Sequence, residues 1–262
     1  MRAMKSAKAA DAPRVVDILG TRIHDVTETE ALATLARFIG EGGPHRVVTP
    51  NPEFVMAARR DAEFRGILNT SDLAIPDGIG LLLAARMLGT RLREHVRGTD
   101  LVLRLAECSA HEGWRWFLLG AEPGVARRAA EHLQVQFPGL EVAGTLSGSP
   151  LAVDDGWTRE SIRDAGPAQV LLVAFGASRQ EMWIARNQEA LGIPVQIGVG
   201  GVLNFFAGRS RRAPMWVRKV ELEWAYRLAT EPWRARRQLA LPRFALLAAA
   251  EMVQQRRRRR RP

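Results

Sequence analysis

One carboxylate in this sequence stands where a general base is needed. Asp77 ends an apolar segment of strand length in the motif Ile75-Pro76-Asp77-Gly78, and the glycine allows another backbone or a ligand to approach closely. A carboxylate in that position can take a proton from a substrate hydroxyl group. The alternative is a helix N-cap, which is a frequent use of Asp. Asp77 is therefore a candidate catalytic base whose role depends on what lies around it.

A second polar turn lies earlier in the chain. Thr49 and Asn51 follow an apolar segment, and Pro52 begins a helical pattern. Ligands of open α/β sheets bind outside the carboxyl ends of the strands, so both side chains are candidates for contact with a nucleotide or a sugar. The alternative is that Asn51 only caps the helix that begins at Pro52.

Three further strand-like segments end in glycine, at Gly120, Gly176 and Gly200. Gly120 precedes Pro123 and a helical pattern, a geometry in which free N–H groups can face a phosphate. A tight turn is the alternative, because the sequence lacks the Gly-x-Gly-x-x-Gly order of a dinucleotide site and has no Walker lysine. Together with the turns described above, these strand ends are predicted to converge on one ligand site.

The turn after Gly176 leads into a polar cluster with Gln180 and Glu181. Both side chains can hydrogen-bond a sugar or a uracil ring. The alternative is that they are ordinary exposed residues of a helix surface, which is where Gln and Glu usually lie.

Apolar segments of strand length alternate with helical segments along most of the chain. A strand pair is predicted over 14–26, and a capping box of Thr27 and Glu30 opens a helix to about residue 39. Further strands are predicted at 45–49, 72–75, 114–119, 141–143, 169–175 and 195–199, and helices at 52–68, 78–88, 99–112, 123–137, 157–165 and 178–191. This alternation predicts an α/β fold, a Rossmann-like sandwich of mainly parallel strands with helices on both faces.

Positive charge is concentrated at the C-terminal end. Residues 209–262 contain 16 Lys and Arg against 4 Asp and Glu, whereas residues 1–208 contain 22 against 24. A basic, amphipathic end on a nearly neutral body favours an anionic surface, either a membrane leaflet or a polyphosphate. Nucleic acid is the competing partner.

From about residue 213 the pattern changes to Trp, Arg and Glu at helical spacing. Prolines are predicted to separate the helices of this basic appendage, at Pro214, Pro232 and Pro242. Arg227, Arg234 and Arg237 can hold a diphosphate through paired N–H groups, and surface salt bridges are the alternative. We expect the arginine run 256–261 to be unstructured because like charges repel.

These patterns predict four parts: a disordered N-terminus (1–13), an α/β domain (14–212), a helical membrane-docking appendage (213–253) and an Arg-rich tail (254–262). The single Cys108 indicates a reducing compartment, and no Cys and His cluster has metal-ligand spacing, so no structural zinc is expected. No secretory signal is recognisable, and no apolar run reaches the roughly 20 residues of a membrane-spanning helix. We expect a cytoplasmic protein with peripheral membrane contact.

Several short motifs occur in one order along residues 15–237. They are T-x-N at Thr49 and Asn51, P-D-G at Pro76 to Gly78, G-T-D at Gly98 to Asp100, the L-L-G turn ending at Gly120, R-Q-E at Arg179 to Glu181, R-A-P at Arg212 to Pro214, and L-E-W-x-Y-R-L-x-x-E-P-x-R-x-x-R from Leu222 to Arg237. Their order and spacing resemble the WecG/TagA/CpsF family of bacterial glycosyltransferases. The combination is far more specific than any single motif.

The resemblance implies an inverting transferase that moves a sugar from a UDP-sugar to a polyprenyl-diphosphate-linked saccharide, in surface polysaccharide or wall polymer synthesis. It also implies that no tightly held metal is needed, and we expect no cofactor besides the UDP-sugar substrate. It makes Asp77 the base and Gln180 a polar pocket residue, and it lets Thr49 and Asn51 line the sugar-nucleotide pocket. The three arginines of the appendage are implied to close over the site at the inner face of the membrane. The resemblance also implies binding to an anionic membrane surface and association of several copies of the chain in a homo-oligomer.

Two positions depart from the family pattern. His95 stands where the family usually has Arg, with Arg93 and Arg97 as nearby substitutes, and Asn204 stands where it usually has Asp.

Two other functions compete with sugar transfer. A nucleic-acid-binding protein would use the basic C-terminal tail, although the tail lacks interleaved aromatic residues and no nucleic acid is expected. A nucleotide-dependent oxidoreductase is disfavoured by the missing glycine fingerprint.

Overall fold

The computed structural model describes residues 13–210, 213–215, 217, 225–226, 228 and 239–259, with side chains up to Gln255 in the last of these segments. Six parallel strands form the central sheet in the order β4-β3-β8-β7-β5-β6. They are β3 (His45–Val48), β4 (Leu73–Ala74), β5 (Arg115–Gly120), β6 (Glu141–Leu146), β7 (Val170–Ala174) and β8 (Val195–Gly198). Strands β1 (Val15–Ile18) and β2 (Thr21–His24) form a separate antiparallel hairpin.

The helices follow the strands as expected for parallel βαβ units. They are α1 (Glu28–Glu41), α2 (Pro52–Ala58), α3 (Ala62–Asn69), α4 (Ile79–Met87), α5 (Gly98–Glu112), α6 (Val125–Gln136), α7 (Asp155–Asp164), α8 (Arg179–Leu191), α9 (Val202–Phe206) and α10 (Ala240–Arg259). The predicted capping box opens α1, where the Thr27 hydroxyl accepts from the Glu30 N–H and the Glu30 carboxylate accepts from the Thr27 N–H.

Alternate strand residues pack against opposite layers of helices. Trp116 and Leu118 of β5 belong to the core that includes α1, α5, α6 and α9. Phe117 and Leu119 of the same strand pack with α7 and α8. Because both faces are covered, β7 is buried along its whole length, which explains its uninterrupted apolar sequence. The predicted Rossmann-like α/β fold, with parallel strands and helices on both faces, is confirmed.

Helix α10 packs against the body of the protein. Its Phe244 and Ala248 are 4% and 0% exposed, in one apolar cluster with Leu81 and Ala85 of α4 and with Ile18 of β1. A C-terminal helix is therefore present. We still only predict that this helix belongs to a basic appendage that docks to the membrane. The division of the chain into four parts also stays a prediction.

Two local expectations were wrong. The helix predicted over 52–68 is two helices, because Asp61 is extended and caps α3 by accepting from the Phe64 N–H. Pro242 lies in the first turn of α10, where no intrahelical N–H bond is lost. Residues 229–238 lie outside the described ones, so its predicted place between two helices stays a prediction. The arginine run was expected to be unstructured, yet α10 continues through Arg259. Arginine is a good helix former, and positive charge at a helix C-terminus is favourable.

Candidate functional site

A cavity of about 890 Å³ lies at the carboxyl ends of four neighbouring strands, β4, β3, β8 and β7. Six of the residues predicted from the sequence line it: Thr49, Asn51, Asp77, Gly176, Gln180 and Gly200. They come from four different turns and meet because parallel strands all end on the same edge of the sheet.

The turn of Asp77 is tied to its neighbours by backbone hydrogen bonds. The Asp77 N–H donates to the Pro50 carbonyl at 2.8 Å, and the Val96 N–H donates to the Pro76 carbonyl at 2.7 Å. The half-buried Asp77 is thus fixed between the turn after β3 and the segment that enters α5. The N-cap of α4 is Gly78, with no side-chain cap hydrogen bond. Asp77 therefore stands one residue before the N-cap position of α4.

Asn51 caps a helix and also lines the cavity, so the two interpretations made from the sequence do not exclude each other. Its Oδ1 accepts from the Phe54 N–H at 3.0 Å and so caps α2, while the residue also lines the cavity. Because the carbonyl oxygen is engaged in the cap, the Nδ2 hydrogens are the polar group that Asn51 offers to a ligand.

Gln180 and Glu181 lie at different depths. Gln180 reaches the cavity although it is only 2% exposed, whereas Glu181 is 0% exposed and does not line it. Burial raises the pKa of Glu181 to about 7, and a hydrogen bond from the Gln180 amide counteracts part of that rise. Neither residue is the exposed surface residue that the alternative interpretation proposed. Glu181 supports the floor of the cavity from below.

Gly120 is the predicted turn residue that does not reach the cavity. Strand β5 lies beyond β7, so its end is one strand further along the edge. A Cβ atom at position 120 would stand 2.8 Å from the backbone carbonyl carbon of Ala174. Glycine is therefore required there for close contact between neighbouring backbones, which corresponds to the alternative of a tight turn.

The cavity also contains polar residues that the predicted site set did not include. His95 and Arg97 line it, followed by Gly98 and Thr99 in the first turn of α5. Arg93 lies elsewhere and pairs with Asp25 and Glu30. Arg97, and not Arg93, is therefore the cation that accompanies His95. The G-T-D motif directly after Arg97 was the signal in the sequence that pointed to this segment.

One wall of the cavity is apolar and comes from α4 and α10. Leu83 and Met87 of α4 face the same space as Phe244 and Ala248 of α10. Leu83 is 50% exposed, so its side chain is accessible from the cavity side of α4. The strand and helix pattern gave no reason to bring α10 to this site, because the two helices are far apart in the sequence.

Arg227, Arg234 and Arg237, predicted to hold a diphosphate, lie outside the described residues. No three His, Cys, Asp or Glu side chains come together as a metal site in the described ranges. No helix in the described part of the chain is long and apolar enough to cross a bilayer.

Comparison with known proteins identifies the family. Residues 16–259 match the family model described as "Glycosyl transferase WecG/TagA/CpsF family". The chain belongs to the WecG/TagA/CpsF family of glycosyl transferases. The resemblance noted in the sequence motifs is thereby confirmed, and the cavity that contains Asp77 is the candidate active site of a glycosyltransferase.

Three relatives share most of their length with this family member. The N-acetylglucosaminyldiphosphoundecaprenol N-acetyl-beta-D-mannosaminyltransferase of Bacillus subtilis (strain 168) is 33% identical over 205 residues, 78% of this chain and 79% of the relative. A protein of the same description from Bacillus spizizenii is 32% identical, with 76% of each chain covered. One from Staphylococcus aureus (strain NCTC 8325 / PS 47) is 28% identical, with 87% of this chain and 90% of the relative covered. The roles of the individual site residues stay predictions.

Proposed function

We propose that this glycosyltransferase moves an N-acetylmannosaminyl or closely related sugar from a UDP-sugar to a polyprenyl-diphosphate-linked saccharide, with inversion at the anomeric carbon. The observation that carries the proposal is Asp77, a half-buried carboxylate fixed at the edge of a cavity whose other polar residues come from three further turns. The descriptions of the Bacillus and Staphylococcus relatives support this donor sugar and this acceptor class.

Asp77 serves as the general base in this proposal. Its carboxylate accepts the proton of the acceptor hydroxyl group while the hydroxyl oxygen forms a bond to the anomeric carbon. The bond between that carbon and the diphosphate oxygen breaks, and UDP leaves with the electron pair. Attack from the face opposite the leaving group accounts for inversion.

Positive charge near the departing diphosphate comes from the start of α5. The Arg97 guanidinium lines the cavity, and Gly98 and Thr99 belong to a helix end whose N–H groups carry a partial positive charge. Such preorganised charge stabilises the transition state as negative charge develops. The C-terminal arginines are proposed to add to it, and no metal or cofactor is expected to be needed.

The acceptor is proposed to approach from the α4 and α10 side. The apolar wall that includes Leu83 and Phe244 suits the lipid part, while the polar floor suits the saccharide. Leu246 and Val253 of α10 are 71% and 43% exposed, and the same helix continues into arginines. This combination supports peripheral attachment to the anionic inner face of the cell membrane.

The test is sugar transfer in detergent. Purified protein is incubated with UDP-N-acetylmannosamine, UDP-N-acetylglucosamine or UDP-glucose and a short-chain polyprenyl-diphosphate-N-acetylglucosamine, and the lipid is analysed by mass spectrometry. We expect the mass of one sugar to be added from at least one donor, with activity retained in EDTA. No mass gain from any donor contradicts the proposed function, and a requirement for added divalent metal contradicts metal-free catalysis.

A further inference from the structure

The side-chain amide of Gln180 is held at both ends. Its Oε1 accepts from the Gly200 N–H at 3.0 Å, and its Nε2 donates to Glu181 Oε1 at 2.7 Å. A backbone N–H can only donate, so it selects the oxygen of the amide. A carboxylate oxygen beside it selects the nitrogen. The two contacts together leave one orientation for the Gln180 amide.

That orientation determines what Gln180 offers to a ligand. One Nε2 hydrogen is engaged with Glu181, and the second belongs to a group that lines the cavity. Gln180 therefore meets a ligand in this cavity with an N–H donor. The oxygen atoms of a sugar or of a diphosphate are acceptors that match it.

Glu181 does not fit the usual pattern of a residue that stabilises the fold. It is 0% exposed, and its Oε2 has no partner at hydrogen-bond geometry among the described residues. The backbone N–H groups of Glu181 and Ser178 act on the carboxylate only weakly, since they lower its pKa less than burial raises it. The described ion pairs do not include it. Burying a carboxyl group with an unsatisfied oxygen costs stability, and an apolar side chain of similar size would avoid the cost.

Gly198 of β8 has no side chain, and the Glu181 and Gln180 side chains occupy the space where its Cβ atom would be. A Cβ atom at position 198 would stand 2.5 Å from Gln180 Nε2 and 2.5 Å from Glu181 Oε1. Contacts that short do not occur between real atoms, so a larger residue at position 198 would displace the Gln180 and Glu181 side chains from this arrangement. The strand end, the carboxyl group and the amide thus form one fitted unit under the cavity.

We propose that Glu181 is a positioning residue, which holds the Gln180 amide so that its free N–H points to an oxygen atom of the sugar-nucleotide donor. This inference rests on the proposed function, because it names the ligand of the same cavity. The role needs an acceptor at the Oε1 position and not a negative charge. A glutamine at position 181 can therefore replace the glutamate, whereas a methionine cannot.

The test compares Glu181→Met with Glu181→Gln. For Glu181→Met we expect an unchanged or higher melting temperature at pH 8 and a fall in kcat/KM for the UDP-sugar of about tenfold or more, the scale of one lost polar contact. Its KM for the lipid acceptor should not change. Glu181→Gln should keep kcat/KM within about threefold of the original protein, which is less than one such contact.

A second measurement does not depend on turnover. The side-chain amide signals of Gln180 are assigned by NMR through their loss in Gln180→Met, and they should shift in Glu181→Met but stay near their original positions in Glu181→Gln. Unshifted signals in Glu181→Met overturn the proposal. Full activity of Glu181→Met also overturns it. The same holds if Glu181→Met loses activity together with a lower melting temperature, or if Glu181→Met and Glu181→Gln are equally inactive. If the unmutated protein transfers no sugar, the proposed function fails, and the NMR comparison still decides the positioning role.

Discussion

Glu181 makes the stability of the protein depend on pH in a direction that can be worked out from its burial. A Glu with its ordinary pKa of 4.5 ionises in the unfolded chain, whereas burial raises the pKa of the folded residue to about 7. Between these values the folded protein retains a proton that the unfolded chain has released. Rising pH therefore favours unfolding until Glu181 also ionises in the folded state.

The size of the effect follows from the two pKa values. At about 1.4 kcal/mol per pH unit, the difference between 4.5 and about 7 corresponds to about 3 kcal/mol. The destabilisation is absent below pH 4.5 and complete above pH 7. Replacing Glu181 with Gln removes it, because the amide does not titrate.

Urea unfolding of the original protein and of Glu181→Gln at pH 4.5, 6, 7 and 8 measures this directly. The free energy of unfolding of the variant minus that of the original protein should rise by about 3 kcal/mol from pH 4.5 to pH 8. Glu160, exposed on α7, is the matched control, and Glu160→Gln should give a nearly constant difference. A constant difference for Glu181→Gln as well would refute the reasoning, because it would mean that Glu181 does not change its pKa on folding.

Three further variants test the packing and the charge of the site. Gly198→Ala should lower the free energy of unfolding by about 1–3 kcal/mol in urea titration, because its Cβ would collide with Gln180 and Glu181. Gly66→Ala in α3, where an added Cβ meets nothing within 4 Å, should raise it by about 0.5–1 kcal/mol. Phe244→Ala should lower the free energy of unfolding by about 3–5 kcal/mol because α10 packs on the folded body, whereas Leu246→Ala should lower it by about 0.5 kcal/mol or less. Equal losses of stability in calorimetry would contradict the packing of α10. Arg97→Gln should lower kcat/KM for the UDP-sugar by about tenfold or more and weaken inhibition by UDP, whereas Arg93→Gln, in its ion pairs outside the cavity, should leave both unchanged.

The class of fold and most helix and strand positions could be predicted from the sequence. Fully apolar segments such as β7 follow from a sheet covered on both faces, and the Thr27 capping box is a local feature with a local pattern. The strand order could not be predicted, because it depends on where each crossover returns to the sheet. Gly120 shows the consequence, since it ends a strand as the other site glycines do and yet lies one strand beyond the cavity.

The residues at the strand ends of the site could be predicted from the sequence, whereas the buried residues beneath them and the wall from α10 could not. Strand-end polar residues such as Thr49 and Asp77 were found because parallel strands end on one edge. Burial of Glu181 depends on the missing side chain at Gly198, which lies on another strand. The wall from α10 depends on Phe244 and Ala248 meeting α4, a contact between distant segments that no local pattern contains.

The central claim is that Asp77 takes the proton of the acceptor hydroxyl group, and Asp77→Asn in single-turnover transfer tests it most directly. A general base contributes roughly 10²- to 10⁴-fold, so transfer by the variant should fall by about that factor while calorimetric UDP-sugar binding is kept. Asp164→Asn, an exposed carboxylate of α7 outside the cavity, should transfer at the original rate. Transfer by Asp77→Asn within about threefold of the original rate would contradict the account, because a general base cannot be lost at so small a cost.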